Sequence, residues 1–363
     1  MAKIVILGDL YPSKVKEFPK IPENDFCVAN LECAITNEEK GILKDGPSLK
    51  ISGAQADILN KLGVNLVGLA NNHVLDFGHK GLTDTLSFLD KANIKYAGVT
   101  LCDNSCIQTI NDYRFGFYFV SEHQYNNIVS ENAAVNLLDE DRVFDEIKSL
   151  KQKCDFLIVL FHGGKEYYKY PTPMQQLNCY KFVDSGTDFV ICQHSHCVGC
   201  KEIYKGSEIV YGQGNFAFPY RENEDFKSGL IVELEVEKHG KLIASYLPIV
   251  HKEEDVIRYA TNEEGIQIIN GFNSASKNLK DKTAESLYQE LIDKTGIDFL
   301  YHLFNKGKLY VRLDTSRYFK NRMLKHYIKK NKKHILYLYN YFNCETHREY
   351  IMKILSDQIK RFK

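Results

Sequence analysis

The sequence predicts an α/β domain followed by a smaller, basic helical region, and three observations lead there. Short apolar runs alternate with amphipathic helical patterns through roughly the first 220 residues. A stretch with period-two alternation around a His-Gly turn then spans 228–250, which reads as an antiparallel hairpin closing the domain. Past about residue 255 the pattern turns helical and the charge changes sign: residues 301–363 carry sixteen Lys and Arg against four Asp and Glu, while the whole chain is formally neutral. The expected division is 1–255 and 256–363.

The strand candidates, in order, are "KIVILG" at 3–8, "FCVANL" at 26–31, "NLVGLA" at 65–70, "YRFGFYFV" at 113–120, "DFLIVLF" at 155–161, "DFVICQ" at 188–193 and "EIVYGQG" at 208–214. Their near-continuous apolar character suits strands covered on both faces, as in a largely parallel sheet. Helical spacing falls between several of them, at 54–63, 79–92, 139–153 and 172–186. In the second region, 286–296, 316–342 and 347–362 have helical periodicity, with Ile351, Ile354, Leu355, Ile359 and Phe362 on one face. No low-complexity linker separates the regions, so the helices are expected to pack on the first domain or on a partner.

At 363 residues the chain can bury a sizeable core. The opening "MAKIVILGDL" has an apolar run too short for a signal-peptide core, and no run elsewhere approaches the ~20 apolar residues of a membrane span. The expectation is a soluble cytoplasmic protein. Ten cysteines without framework spacing fit free thiols in a reducing compartment. The close pair Cys197 and Cys200 lacks the second pair of a zinc knuckle and reads as two small buried residues.

Five of the apolar strands end in residues able to bind a metal. Asp9 follows the first, Glu32 the second, Asn72 and His73 the third, His162 the fifth, and His194 and His196 the sixth. Each alone has an ordinary explanation in turn or capping chemistry. Together they occupy the strand ends where open α/β folds place ligands, so side chains distant in sequence are expected to converge in one crevice. Carboxylate, amide and imidazole donors suit Mn, Fe or Zn. Two ions about 3.5 to 4 Å apart can activate water and neutralise charge building up on a phosphoryl group.

The ordered set "GDL" at 8–10, "ANLE" at 29–32, "LANNHVLDFG" at 69–78, "HGGKEY" at 162–167, "GTDFVICQHSH" at 186–196 and "YGQGNFAF" at 211–218 resembles the calcineurin-like metallophosphoesterases, and within them the CapA, or poly-gamma-glutamate capsule biosynthesis, family. The resemblance implies a four-layer α/β/β/α sandwich of the metallo-dependent phosphatase type. It also implies a ligand set: Asp9 and His196 on one metal, Asn72, His162 and His194 on the other, and Glu32 bridging. His73 would stay off the metals, near the substrate, as a catalytic residue. Classical members have a His two residues after the first Asp, where this chain has Tyr11. Either one or two ions is therefore expected.

Glu166 is a candidate for orienting a ligand histidine or contacting substrate, and Asn215 for lining the substrate pocket. Asn71 and Asp76 are assigned to supporting the turn, and His79 and His123 are read as ordinary histidines. The function implied is a metal-dependent hydrolase of phosphoester type in capsule or surface-polymer synthesis, acting on a phosphoester or anionic polymer. The alternatives are a non-catalytic assembly component and a nucleic-acid phosphodiesterase using the basic run at 320–334. For that run, a solvated or internally docked helical face ranks first, an anionic polymer or membrane surface second and nucleic acid last.

Overall fold

The computed structural model describes residues 2–44, 46–123, 128–130, 133–237, 240–305 and 332–361. Two sheets lie face to face with helices outside each. In the first the strand order is Val256–Tyr259, Leu242–Lys252, Ser228–Val236, Lys3–Leu10, Phe26–Leu31, Leu66–Gly68 and Lys95–Ala97, with Asn215–Ala217 also paired to Lys3–Leu10. In the second it is Lys201–Tyr204, Ser207–Val210, Phe189–Gln193, Phe156–His162, Tyr113–Ser121 and Ser105–Ile110. Parallel pairing dominates the centre of both sheets; antiparallel strands close both flanks of the second sheet and one flank of the first, whose other edge strand, Lys95–Ala97, pairs in parallel.

The strand pleat explains the layering, because alternate residues face opposite sides. Ile4 and Ile6 join Val28, Phe117, Phe119, Ile158, Leu160 and Ile191 in the core between the sheets. Val5 and Leu7, their neighbours in sequence, pack outward with Leu82 and Leu89 of the helix Gly78–Lys91. On the far side, Leu157, Val159 and Phe161 meet Val143, Ile147 and Leu150 of the helix Glu140–Lys151 and Phe182 of the helix Pro173–Asp184. The chain is thus a four-layer α/β/β/α sandwich. Thr172 caps the helix Pro173–Asp184 through its side chain and proline occupies the first turn, where its missing N–H is no loss.

Some local expectations need adjusting. The helix read at 54–63 is two short ones, Gly53–Ala56 and Ile58–Lys61, divided at Asp57. The hairpin at 228–250 forms in register, with Ser228 opposite Val250, but the first sheet continues into Val256–Tyr259, past the boundary read at 255. Asn262–Asp281 is a helix capped reciprocally by Thr261 and Glu264, and its Phe272 enters the core between the sheets.

The helices Ala284–Asn305, Lys332–Asn343 and Glu345–Arg361 follow. Tyr288, Ile292, Tyr350 and Ile354 form a small cluster that ties the last helix to the first of these. Most of the basic run at 320–334 lies outside the described residues. No helix among the described residues is long and apolar enough to cross a membrane. All ten cysteines are free, and Cys197 and Cys200 are buried.

Candidate metal centre

The strands that end in candidate ligands do not line one sheet edge. Lys3–Leu10, Phe26–Leu31 and Leu66–Gly68 belong to the first sheet, and Phe156–His162 and Phe189–Gln193 to the second. Because the sheets are stacked, the strand ends meet at one end of the sandwich. Gly8 permits the close approach needed there: a Cβ at that position would lie 2.2 Å from the Gly214 carbonyl oxygen.

Donor atoms of Glu32, His162 and His194 fall within 4.8 Å of one another, and so do those of Asp9, Glu32 and His196. Glu32 is common to both groups. Its Oε1 is 3.6 Å from His162 Nε2 and 4.0 Å from His196 Nε2, while Asp9 Oδ2 is 3.6 Å from His196 Nδ1. Those gaps are too long for hydrogen bonds. The two Glu32 gaps match the roughly 3 to 4 Å between two donors that each sit about 2.0–2.2 Å from a shared ion. Asn72 Oδ1 lies 2.9 Å from His162 Nε2.

Glu32 is fully buried, and neither carboxylate oxygen has a hydrogen-bond partner among the described residues. Leaving an ionised carboxylate dry and unpaired costs several kcal/mol. Burial, with Asp9, Glu166 and Asp76 adding to it, pushes the Glu32 carboxyl well up. Burial likewise raises Asp9, against the pull of His196, and lowers His162 well below the ordinary imidazole value and His194 to about 3. Carboxylates that resist ionising and imidazoles that resist protonating are the donor set a divalent cation would stabilise.

The backbone is strained at the same place. His194 and His196 have φ of 91° and 54°, the left-handed region that non-glycine residues rarely enter. Interactions around them hold the geometry. The His194 backbone N–H donates to Asp9 Oδ2 at 3.0 Å, and His196 Nδ1 is 2.8 Å from Asn215 Oδ1. If Nδ1 carries the proton, His196 Nε2 presents its lone pair to a metal. Asn215, expected to line the substrate pocket, is thus buried against a candidate ligand.

His73 stands apart from the donor groups. Its Nδ1 is 2.7 Å from Asp76 Oδ2, so the turn residue Asp76 also orients the imidazole. Burial lowers the His73 pKa, with Asp76 opposing and Lys44 adding to the effect. Glu166 lies on the exposed segment after Phe156–His162, within electrostatic reach of His194 and His196.

Three residues of this neighbourhood were not singled out from the sequence. Asn30 donates to Asp9 Oδ1 at 2.8 Å, lies 3.2 Å from His162 Nδ1 and accepts from Asn71 Nδ2. A lone amide inside the apolar run "FCVANL" was the available signal. Lys44 is buried, ion-paired with Asp76 and 3.2 Å from His73 Nδ1, and nothing local marks it. Glu122, at the end of Tyr113–Ser121, binds Thr346 Oγ1 at 2.7 Å and Cys344 Sγ at 3.4 Å, anchoring the start of the last helix beside His162.

Residues 13–220 match the family described as bacterial capsule synthesis protein PGA_cap. The chain belongs to this family. Among curated relatives, the capsule biosynthesis protein CapA of Bacillus anthracis is 26% identical over 64% of this chain and 59% of its own length. The PGA biosynthesis protein CapA of Bacillus subtilis is 25% identical over 61% of this chain and 60% of its own length. The chain therefore spans about three fifths of the length of these relatives. A solved phosphatase structure from Mycoplasma pneumoniae overlays 69% of this chain and 93% of its own at 16% identity and a TM-score of 0.44, a likeness too loose to carry chemistry across.

Proposed function

We propose that this capsule-synthesis family member is a divalent-metal-dependent hydrolase of phosphoester type, acting in the formation of a capsule or related surface polymer. The observation that carries the reading is Glu32, a buried carboxylate without hydrogen bonds, set between His162 and His194 on one side and Asp9 and His196 on the other. These residues, with Asn72, would hold one or two ions of the Mn, Fe or Zn type. Bound there, divalent ions would supply Lewis acidity to a phosphoryl group and offset the charge that develops on it.

The chain's own residues do the remaining work. Asn30 and Asn215 fix Asp9 and His196, so little reorganisation is needed when a ligand arrives. Asp76 holds His73 by Nδ1, leaving Nε2 as the ring atom to exchange a hydrogen bond or proton with a reacting oxygen. Lys44 pairs with the same Asp76 carboxylate and so holds it in place.

The test is a panel of phosphoesters with added Mn²⁺, comparing wild type with His73→Ala. A loss of about 10²- to 10⁴-fold in kcat with unchanged Mn content is expected. Equal, negligible rates in both proteins with metal bound would favour a non-catalytic assembly role. The Mycobacterium tuberculosis relatives, named as probable polyglutamine synthesis accessory proteins, are compatible with that role.

A further inference from the structure

Tyr167 and Arg221 form a lip above the Asp9–Glu32–His196 side of the centre. Tyr167 has φ of 57°, an unusual state for a bulky side chain, and its backbone N–H is tied to the Ser195 carbonyl at 2.8 Å between the two site histidines. Strain of this kind persists where surrounding contacts enforce it, and it concentrates at ligand sites. The Tyr167 ring lies 6.2 Å from the His196 ring, and its hydroxyl is 3.3 Å from Arg221 Nη1. The Arg221 guanidinium rests 4.7 Å from the centre of the Phe226 ring, and that ring is 5.4 Å from His196. A continuous stack thus runs from an exposed cation to a candidate metal ligand.

Arg221 differs from its neighbours in charge pairing. Glu222 and Glu224 both bind Lys227, at 2.6 and 2.8 Å, and Asp225 binds Lys169 at 3.3 Å. No carboxylate pairs with Arg221 among the described residues. Those three acids are therefore occupied by lysines, while a guanidinium suited to two-point recognition of a carboxylate or phosphate is held in place by aromatic rings.

We infer that Arg221, positioned by Tyr167 and Phe226, recognises a second anionic group on a substrate whose phosphoryl group is held at the centre. The substrate class is a phosphoester bearing a further carboxylate or phosphate, which deepens the function proposed above and rests on it.

The experiment is calorimetric binding of three inert probes to the full Mn²⁺-loaded chain: phenylphosphonate, 4-carboxyphenylphosphonate and 1,4-benzenediphosphonate. Wild type is expected to favour the two doubly anionic probes, and their difference tells carboxylate from phosphate preference. Arg221→Met should remove about 10- to 100-fold of that preference and leave phenylphosphonate binding within about twofold. Arg221→Lys should keep part of it, and Tyr167→Phe should weaken it with Tm unchanged. Equal binding of all three probes by wild type, or an equal loss for all three in Arg221→Met, would overturn the inference while leaving the metal centre standing. Failure of wild type to take up Mn²⁺ or bind any phosphonate would overturn the proposed function, and this inference with it.

Discussion

The candidate metal centre and the last helix, Glu345–Arg361, sit at the same end of the sandwich and are built differently. At the centre, a buried carboxylate is left without hydrogen bonds and two histidines occupy strained backbone states, all imposed by five strands packed on both faces. At the helix the anchoring contacts are paired, although Glu349 Oε2 and His347 Nδ1 are buried without a hydrogen-bond partner among the described residues. Glu122 accepts from Thr346 and Cys344, His123 pairs with Glu345, and the Met174 N–H donates to Glu349 at 3.1 Å. Behind these anchors lies the small cluster of Tyr288, Ile292, Tyr350 and Ile354. The difference teaches that an unpaired buried carboxyl is tolerated where the scaffold over-determines the geometry, whereas an element docked late in the chain relies more on matched polar contacts.

The largest expected effect comes from removing the unpaired carboxyl. Glu32→Leu should abolish Mn²⁺ uptake on both sides of the centre. It should also make the metal-free protein more stable by about 1–3 kcal/mol in urea unfolding, because an apolar group replaces a dry carboxylate. Loss of metal-free stability would mean that Glu32 is structural and the contrast is mistaken.

Next in size is Thr346→Val, which removes the hydroxyl that donates to Glu122. A buried hydrogen bond to a neutral carboxyl is worth about 0.5–1.5 kcal/mol. The loss should appear as faster amide hydrogen exchange in Glu345–Arg361, with strands Lys3–Leu10 and Phe156–His162 unchanged. Equal acceleration in the strands would show that the helix is part of one cooperative unit with them.

A separate effect follows pH. Burial, against the hydrogen bond from Thr346, raises the Glu122 carboxyl from its ordinary 4.5 to about 8. The folded state therefore binds a proton that the unfolded state has released. This contribution to stability is fully present below about pH 4.5 and is lost as pH rises towards 8. Exchange in the last helix should speed up from pH 5 to 8 beyond the intrinsic rate change, and Glu122→Gln should flatten that trend. An unchanged slope in Glu122→Gln would remove Glu122 from the account.

Much of the first region was legible because its signals are local. Apolar runs of strand length, each closing on a polar or ionisable residue, gave the strand ends and named Asp9, Glu32, Asn72, His162, His194 and His196, whose side chains the structure gathers at one end of two sheets. What was missed depends on pairings that no window of sequence contains. Lys44 meets Asp76 across 32 residues and Glu122 meets Thr346 across 224. The split of the strands between two sheets was equally invisible to periodicity, since a strand buried on both faces reads alike in one sheet or the other. Asn30 is intermediate: an amide within an apolar strand signals a buried polar role without naming its partners, Asp9 and Asn71.

Anomalous diffraction from Mn²⁺-soaked crystals of the full chain, with Glu32→Leu treated alike, tests the account most directly. Wild type should show density within coordination distance of Glu32, flanked by His162 and His194, by Asp9 and His196, or by both pairs, and the variant should show none. A wild-type map with no anomalous peak at Glu32, or the same peaks in the variant, would contradict it.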